Sequence, residues 1–365
     1  MRELIFKTGS LMGRRWSVPS GGALTIGRSH SCAIRPEEAD VSGRHVIVRE
    51  ERGKLWLEAL SAHRTAVDGT KQILWGLFKK MVIADRAAVI VDKVFAPGSG
   101  FEGFPVLFAA VVYSIQIYAD FSGCVDISRG VSQCLGIDLI KNFNHPYFSE
   151  SIQDFWRRWH ISLSSWLRDY VYIPLGGNRH GACRKYVNVL LVFAVSGLWH
   201  GTGMNFFVWG LLHGVFQLVD VVKEKVGMTV WRRLGIDASA FFCRLFRILV
   251  TFSEVTFAWI FFRAQDCSHA ISVIKRMLML RPRQLFEFSW VTLGLDRMDL
   301  TVLMASIGLL LGVSMFQERK PVRRFINDRQ LCVRWSVSLV GIVLLVLFGM
   351  YGTGYQPVQF IYMQF

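Results

Sequence analysis

The sequence predicts a mainly α-helical, polytopic membrane protein preceded by a small, incomplete all-β segment. Three observations predict this. Of the 365 residues, 52% are apolar, with 28 Phe and 12 Trp, which is too apolar for an ordinary soluble chain. Apolar runs recur at about 104–119, 186–200, 204–220, 242–262, 300–316 and 335–351. They give about six spans of roughly the 17–25 residues that bilayer thickness demands. Residues 1 to about 70 hold no such run and instead alternate short β-prone stretches with turns.

The N-terminal stretches are Ala23-Leu24-Thr25-Ile26-Gly27, Arg44-His45-Val46-Ile47-Val48-Arg49 and Lys54-Leu55-Trp56-Leu57-Glu58. Turns are predicted at Pro19-Ser20-Gly21-Gly22, Glu51-Arg52-Gly53 and Asp68-Gly69, so the segment reads as a small all-β unit. Met1 to Lys7 lacks the long apolar core of a signal peptide, and insertion is expected to begin at an internal apolar segment. The net charge of +15 falls in short clusters between apolar runs. That pattern suits positive-inside loops and anionic headgroups, and it speaks against nucleic acid as a partner. Seven cysteines without a Cys-x-x-Cys pair imply neither a metal site nor a disulfide framework.

Residues 73–95 place charges between apolar residues at helical spacing and predict an interfacial amphipathic helix. Pro97-Gly98-Ser99-Gly100 reads as a loop. Asp120 and Asp126 follow the first span and read as marking its interface, with a buried, paired arrangement as the alternative. Asn142 to Tyr147 reads as a turn. Ser151-Ile152-Gln153-Asp154 is a capping-box helix start. On that helix Arg157, His160, Ser164 and Arg168 share one stripe, opposite Trp156, Trp159, Leu163 and Trp166. The basic, glycine-rich loop Pro174 to Gly181 suits lipid headgroups or an anionic donor carrier, and it lacks the Gly-Lys-Ser/Thr of a nucleotide loop.

Gly197-Leu198-Trp199-His200-Gly201 joins two apolar runs. An ionisable side chain at membrane depth is costly and is typically functional or paired. Glycines 197, 201 and 203 let a helix break, and broken backbone at that depth needs protein or a watery cavity around it. The local reading is therefore an imidazole beside an interrupted helix, with a helix-end histidine bonded to a carbonyl as the alternative. His160 would line the same cavity, or else belong to an interfacial helix with aromatic anchors. His213 reads as a packing or hydrogen-bonded histidine.

Several stretches resemble the membrane-bound O-acyltransferase superfamily, in its alginate O-acetyltransferase branch and with kinship to D-alanyl transferases. They are Gln116-Ile117-Tyr118-Ala119-Asp120-Phe121-Ser122-Gly123, Asn142-Phe143-Asn144-His145-Pro146-Tyr147, Asp154 to Ser164, Tyr172 to Arg179, and Gly197 to Gly201. The C-terminal Gln359 to Phe365 also looks like the end of such proteins. The resemblance covers about 72–365. It implies transfer of an acyl group, acetyl in this branch, from a thioester or carrier co-substrate to a polysaccharide hydroxyl, with no bound cofactor. It implies His200 as catalytic base and His160 as the supporting histidine, with Arg157, Ser164 and Trp199 as substrate contacts. It also implies a multi-pass position in the inner membrane, with acetylation partner proteins in the membrane or periplasm.

Thr25-Ile26-Gly27-Arg28-Ser29 and Ser42-Gly43-Arg44-His45 resemble a forkhead-associated (FHA) domain, a β-sandwich that binds phosphothreonine peptides. The resemblance implies Arg28 and Ser42 as phosphate contacts, assisted by Arg44, with His45 structural. Guanidinium and hydroxyl donors suit a phosphate. The domains expected are thus 1–70, FHA-like, and 71–365, acyltransferase-like. Where the FHA pattern has Asn-Gly the chain has His63-Arg64, and no further strands follow Asp68-Gly69. The spans that precede Leu77-Phe78-Lys79-Lys80 in the acyltransferase family have no counterpart here. The rival readings are a membrane-tethered phosphopeptide-binding module, a transporter using its histidines as a proton relay, and an inactive fusion or truncated fragment.

Overall fold

The computed structural model describes residues 2–6, 10–19, 22–37, 41, 46–51, 54–59, 62–233, 235, 237, 240–281, 289–319, 322–327 and 329–351. The chain divides into two compact units, residues 1–73 with 127–139, and residues 74–126 with 140–365.

The first unit carries two small antiparallel sheets. Strands β1 (Arg2–Ile5) and β2 (Arg15–Val18) pair with Leu4 opposite Trp16. Strands β3 (Ala23–Ile26), β4 (Val46–Glu51) and β5 (Lys54–Ala59) form a three-stranded meander, with Leu24 opposite Val48 and Val48 opposite Leu57. Leu11, Val18, Ile26, Ile34 and Val48 make its buried core. The chain then turns helical earlier than the sequence suggests. Helix α1 runs Ala62–Leu77, so the turn expected at Asp68-Gly69 lies inside it. Gly69 is there for close approach: a β-carbon on it would stand 2.6 Å from the carbonyl oxygen of Gly130. Glycine marks tight backbone contact as readily as it marks a turn.

The second unit is helical. A π-helical stretch, Phe78–Ala84, continues α1 into α2 (Asp85–Phe95). The predicted interfacial helix over 73–95 is in fact part of the core, with Ile83, Ala87, Ile90, Val91 and Val94 fully buried. Its charges find partners inside the protein. Lys79 reaches Asp126 at 2.7 Å and Ser122 Oγ at 2.8 Å. Lys80 reaches Asp120 at 2.7 Å and Asp85 at 3.1 Å, and Arg86 pairs with Asp299 at 2.9 Å. Asp120 and Asp126 therefore do not mark an interface. They belong to this ion-pair network, on a helix that continues far past the predicted end of the first span: α3 runs Phe104–Cys134.

The later helices are α4 (Ile152–Arg158), α5 (Ile161–Leu167), α6 (Gly181–His200), α7 (Met204–Arg233), α8 (Phe241–Arg263) and α9 (Cys267–Leu278). They are followed by α10 (Arg297–Arg319), α11 (Val322–Asn327) and α12 (Leu331–Phe348). Among the described residues five helices are long and apolar enough to cross a membrane, at 104–134, 181–200, 204–229, 241–263 and 297–318. The sixth expected span, 335–351, corresponds to a shorter apolar helix, Cys332–Phe348. The protein is a multi-pass helical membrane protein with a small β segment at its start.

Candidate functional site

Two interruptions of helix build the site. The first lies between α4 and α5. Ser151 caps α4 as expected, its hydroxyl accepting from the Asp154 N–H at 3.1 Å. The helix then stops at Arg158: Trp159 is extended (φ −104°, ψ 128°) and His160 is left-handed (φ 44°, ψ 56°). Among the described residues, His145 and His160 are the non-glycine residues with positive φ. For a side chain with a β-carbon that region costs roughly 1–2 kcal/mol, so other contacts must hold it.

Those contacts come from the Asn142–Tyr147 turn. The Ile161 N–H donates to the Asn142 carbonyl (3.1 Å) and the Asn144 N–H donates to the Arg158 carbonyl (2.9 Å). The Ser162 N–H donates to Asn142 Oδ1 (2.9 Å). Ser164 Oγ closes the break from the other side by donating to the Trp159 carbonyl (3.2 Å). These bonds satisfy the backbone groups that the broken helix leaves open. The single amphipathic helix predicted across 151–168 is therefore two short helices, and the stripe of Arg157, His160, Ser164 and Arg168 does not exist as a helix face.

The second interruption follows α6. The helix ends on His200, Gly201 is extended, and α7 begins at Met204. Helices α6 and α7 cross closely because Gly197 and Gly210 carry no side chain. A β-carbon on Gly197 would lie 2.4 Å from the Phe206 carbonyl oxygen, and one on Gly210 would lie 2.2 Å from that of Phe193. His200 is 7% exposed. Its ring meets Trp209 at 5.0 Å and Phe262 at 5.3 Å, both edge-to-face.

Trp199 faces both imidazoles, at 4.8 Å from the His200 ring and 6.4 Å from the His160 ring. It is itself 54% exposed. Phe121 packs against His160 at 4.8 Å. His160 Nδ1 lies 3.3 Å from Ser162 Oγ, and burial lowers its pKa to about 4. His145, in the supporting turn, is also lowered to about 4, first by burial and then by the nearby Lys141 charge. The structure thus brings His160, Trp199 and His200 together.

The other predicted residues are placed differently. Ser164 uses its hydroxyl within the α4–α5 break. Arg157 is exposed on α4, and among the described residues the structure gives it no hydrogen bond to either histidine. Arg28 is exposed, and its Nε donates to the Val41 carbonyl. Ser42 and Arg44 lie outside the described residues. Sequence reasoning missed Asn142 and Ser162. Asn142 reads locally as a turn residue, and its partner lies twenty positions along the chain. His213, expected to be a packing or hydrogen-bonded histidine, is wholly buried, and among the described residues neither ring nitrogen has a hydrogen-bond partner.

The sequence model of the membrane-bound O-acyltransferase family matches residues 76–260, half of the chain and all of both interruptions. The chain belongs to this membrane-bound O-acyltransferase family. An FHA domain model matches residues 24–83, so the β segment is FHA-like and the match runs on through α1. A peptidoglycan O-acetyltransferase of Helicobacter pylori is 41% identical over 217 residues, covering 59% of this chain and 39% of that protein. A probable alginate O-acetylase AlgI of Pseudomonas putida is 32% identical over 309 residues, covering 82% of this chain and 61% of that protein. A teichoic acid D-alanyltransferase of Bacillus subtilis is 32% identical over 165 residues, covering 43% and 40%. The chain therefore spans from 39% to 61% of the length of these membrane-bound O-acyltransferase relatives.

Proposed function

We propose that the chain transfers an acyl group, acetyl by preference, from a thioester or carrier-bound donor to hydroxyls of an exported polysaccharide such as alginate. The membrane concerned is the inner membrane. Partner proteins there or in the periplasm present the acceptor or hand on the acyl group. The observation that carries the reading is the convergence of His160 and His200 on Trp199, each at a helix interruption. The relatives' names support the reaction class, since one is an O-acetyltransferase by name, one a probable O-acetylase and one a D-alanyltransferase.

In this reading His200 takes the acceptor's hydroxyl proton while the oxygen attacks the acyl carbonyl. The tetrahedral intermediate collapses, the acyl–sulfur bond breaks, and the proton passes from His200 to the departing sulfur. His160 is the supporting group. With Ser162 donating to its Nδ1, the neutral ring carries its proton on Nε2 and offers it to the developing oxyanion. A depressed pKa suits this role, because the ring stays neutral at ordinary pH. Trp199 forms the open wall against which substrate sits.

The test is acetyl content of the exported polysaccharide in cells that lack their own enzyme. His200→Ala at equal expression should lose activity by about 10²–10⁴-fold, the usual worth of a general base. Full acetylation by that variant removes the mechanism. No acetylation by the unmodified chain favours the inactive-fragment reading.

A second reading concerns the β segment. The FHA match and the exposed Arg28 beside the chain leading to Ser42 support phosphothreonine binding, with Arg44 assisting. Binding of a phosphothreonine peptide to the full chain, lost in Arg28→Ala, is the check. Binding that survives Arg28→Ala sinks this reading.

A further inference from the structure

His213 is placed where packing alone gives poor reason for a histidine. It is 0% exposed, and among the described residues neither ring nitrogen has a hydrogen-bond partner. A phenylalanine would fill similar space without burying two unpaired polar atoms, and leaving such atoms unpaired is costly. The indole nitrogens of two of its neighbours, Trp156 and Trp209, are unpartnered as well. What the three rings do have is orientation. His213 meets Trp156 edge-to-face at 5.1 Å and 86°, and Trp209 edge-to-face at 5.1 Å and 77°. It also lies parallel to Phe155 at 6.2 Å.

Those contacts join the two arms of the site. Phe155 and Trp156 are on α4, and Trp156 stands four residues before His160. Trp209 is on α7 and also packs, at 5.0 Å and 90°, against His200. A polar ring edge set against an aromatic face resists rotation more than an apolar edge does, because the aromatic quadrupole discriminates between edges. We propose that His213 is a positioning residue that, through Trp209 and Trp156, fixes the ring orientation of His200 relative to the His160 arm. The proposal deepens the acyltransfer reading and rests on it for its consequence in rate. Its structural core, the orientation of His200, is measurable without any substrate.

The experiment uses the full chain in lipid nanodiscs with ¹⁵N-labelled histidine. Imidazole ¹⁵N spectra report tautomer and hydrogen bonding ring by ring, and the His200 signals are those lost in His200→Gln. In the unmodified protein His200 should show one tautomer near neutral pH. In His213→Phe it should show a mixture, while helix content stays unchanged and the unfolding midpoint does not fall. His213→Gln, which keeps a polar edge, should recover most of the single form. Where the chain acylates, His213→Phe should lower kcat by about ten- to a hundredfold, the size expected of a misplaced base, with KM little changed. Should His213→Phe fail to fold, Trp209→Phe removes the linking indole and is read in the same spectrum. His200 spectra indistinguishable from the unmodified protein in folded His213→Phe or Trp209→Phe overturn the proposal. Absence of acyl transfer by the unmodified chain counts against the reaction assigned to the site, and the tautomer readout then judges His213 alone.

Discussion

His145 and His160 share two properties that follow from one cause. Both are left-handed at the backbone, and both imidazoles are driven down to about 4 chiefly by burial. Each is held by the pairing of the 142–147 turn with the α4–α5 break rather than by local preference. The sign of the acid response follows. An unfolded chain protonates these rings near pH 6.5, whereas the folded chain resists until about 4. Between those values the unfolded state binds more protons, so stability falls as pH falls through that window, and it regains nothing above it. His145→Gln should flatten part of the slope, measured as unfolding midpoint against pH in detergent. An unchanged slope defeats this account. The site residue itself gives a sharper contrast. Asparagine tolerates the left-handed region and keeps an N–H donor, so His160→Asn should retain more acyl transfer than His160→Ala. Equal losses would mean that the donor role assigned to His160 is wrong.

At the scale of elements, the crossing of α6 and α7 depends on Gly197 and Gly210. Gly197→Ala would drive a methyl into the Phe206 carbonyl, and overpacking of this kind costs about 1–3 kcal/mol. Because α6 ends three residues later at His200, the variant should lose activity together with stability. A wild-type unfolding midpoint for it would show that the crossing is looser than described. The Lys79–Asp126 pair makes a different test. Removing one partner of a buried pair costs about 3–5 kcal/mol, and less where one partner is only part-buried as Asp126 is, while replacing both by apolar residues is far milder. Lys79→Met should therefore destabilise clearly, and Lys79→Met with Asp126→Leu should recover most of the loss in a double-mutant cycle. These elements also show what a sequence can reveal. The apolar runs were legible because a bilayer imposes length and composition. The glycines around His200 were legible because interruption at that depth is rare. The α4–α5 break was not, since each half of 151–168 satisfies helical periodicity and the bonds that break it come from Asn142 and Asn144. Nor were the partners of Lys79 and Lys80, because charges at helical spacing look alike on a wet face and in a buried network.

At the scale of the molecule, the described residues form two separate hydrophobic cores. One is the small set of Leu11, Val18, Ile26, Ile34 and Val48. The other is a large aromatic and aliphatic core that includes Tyr113, Phe155, Trp159, Trp209 and Trp259. Among the described residues the small core has five buried side chains, each worth roughly 1.5–3 kcal/mol on burial, which offsets little of the ordering cost of two small sheets. The β segment should therefore open well before the helices. Hydrogen exchange in nanodiscs is the measurement, with amides of β3, β4 and β5 expected to exchange faster than those of α3 and α8. Equal protection would mean that the two units unfold as one. Two cores also predict two separable activities. Arg28→Ala should abolish phosphothreonine-peptide binding and leave acylation at its original rate. His200→Ala should do the reverse. The expectation rests on Arg28 and His200 belonging to different compact units, each with its own buried set. If saturating phosphopeptide changes the acylation rate of the unmodified chain, and Arg28→Ala removes that change, then the units are coupled and the prediction of independence fails.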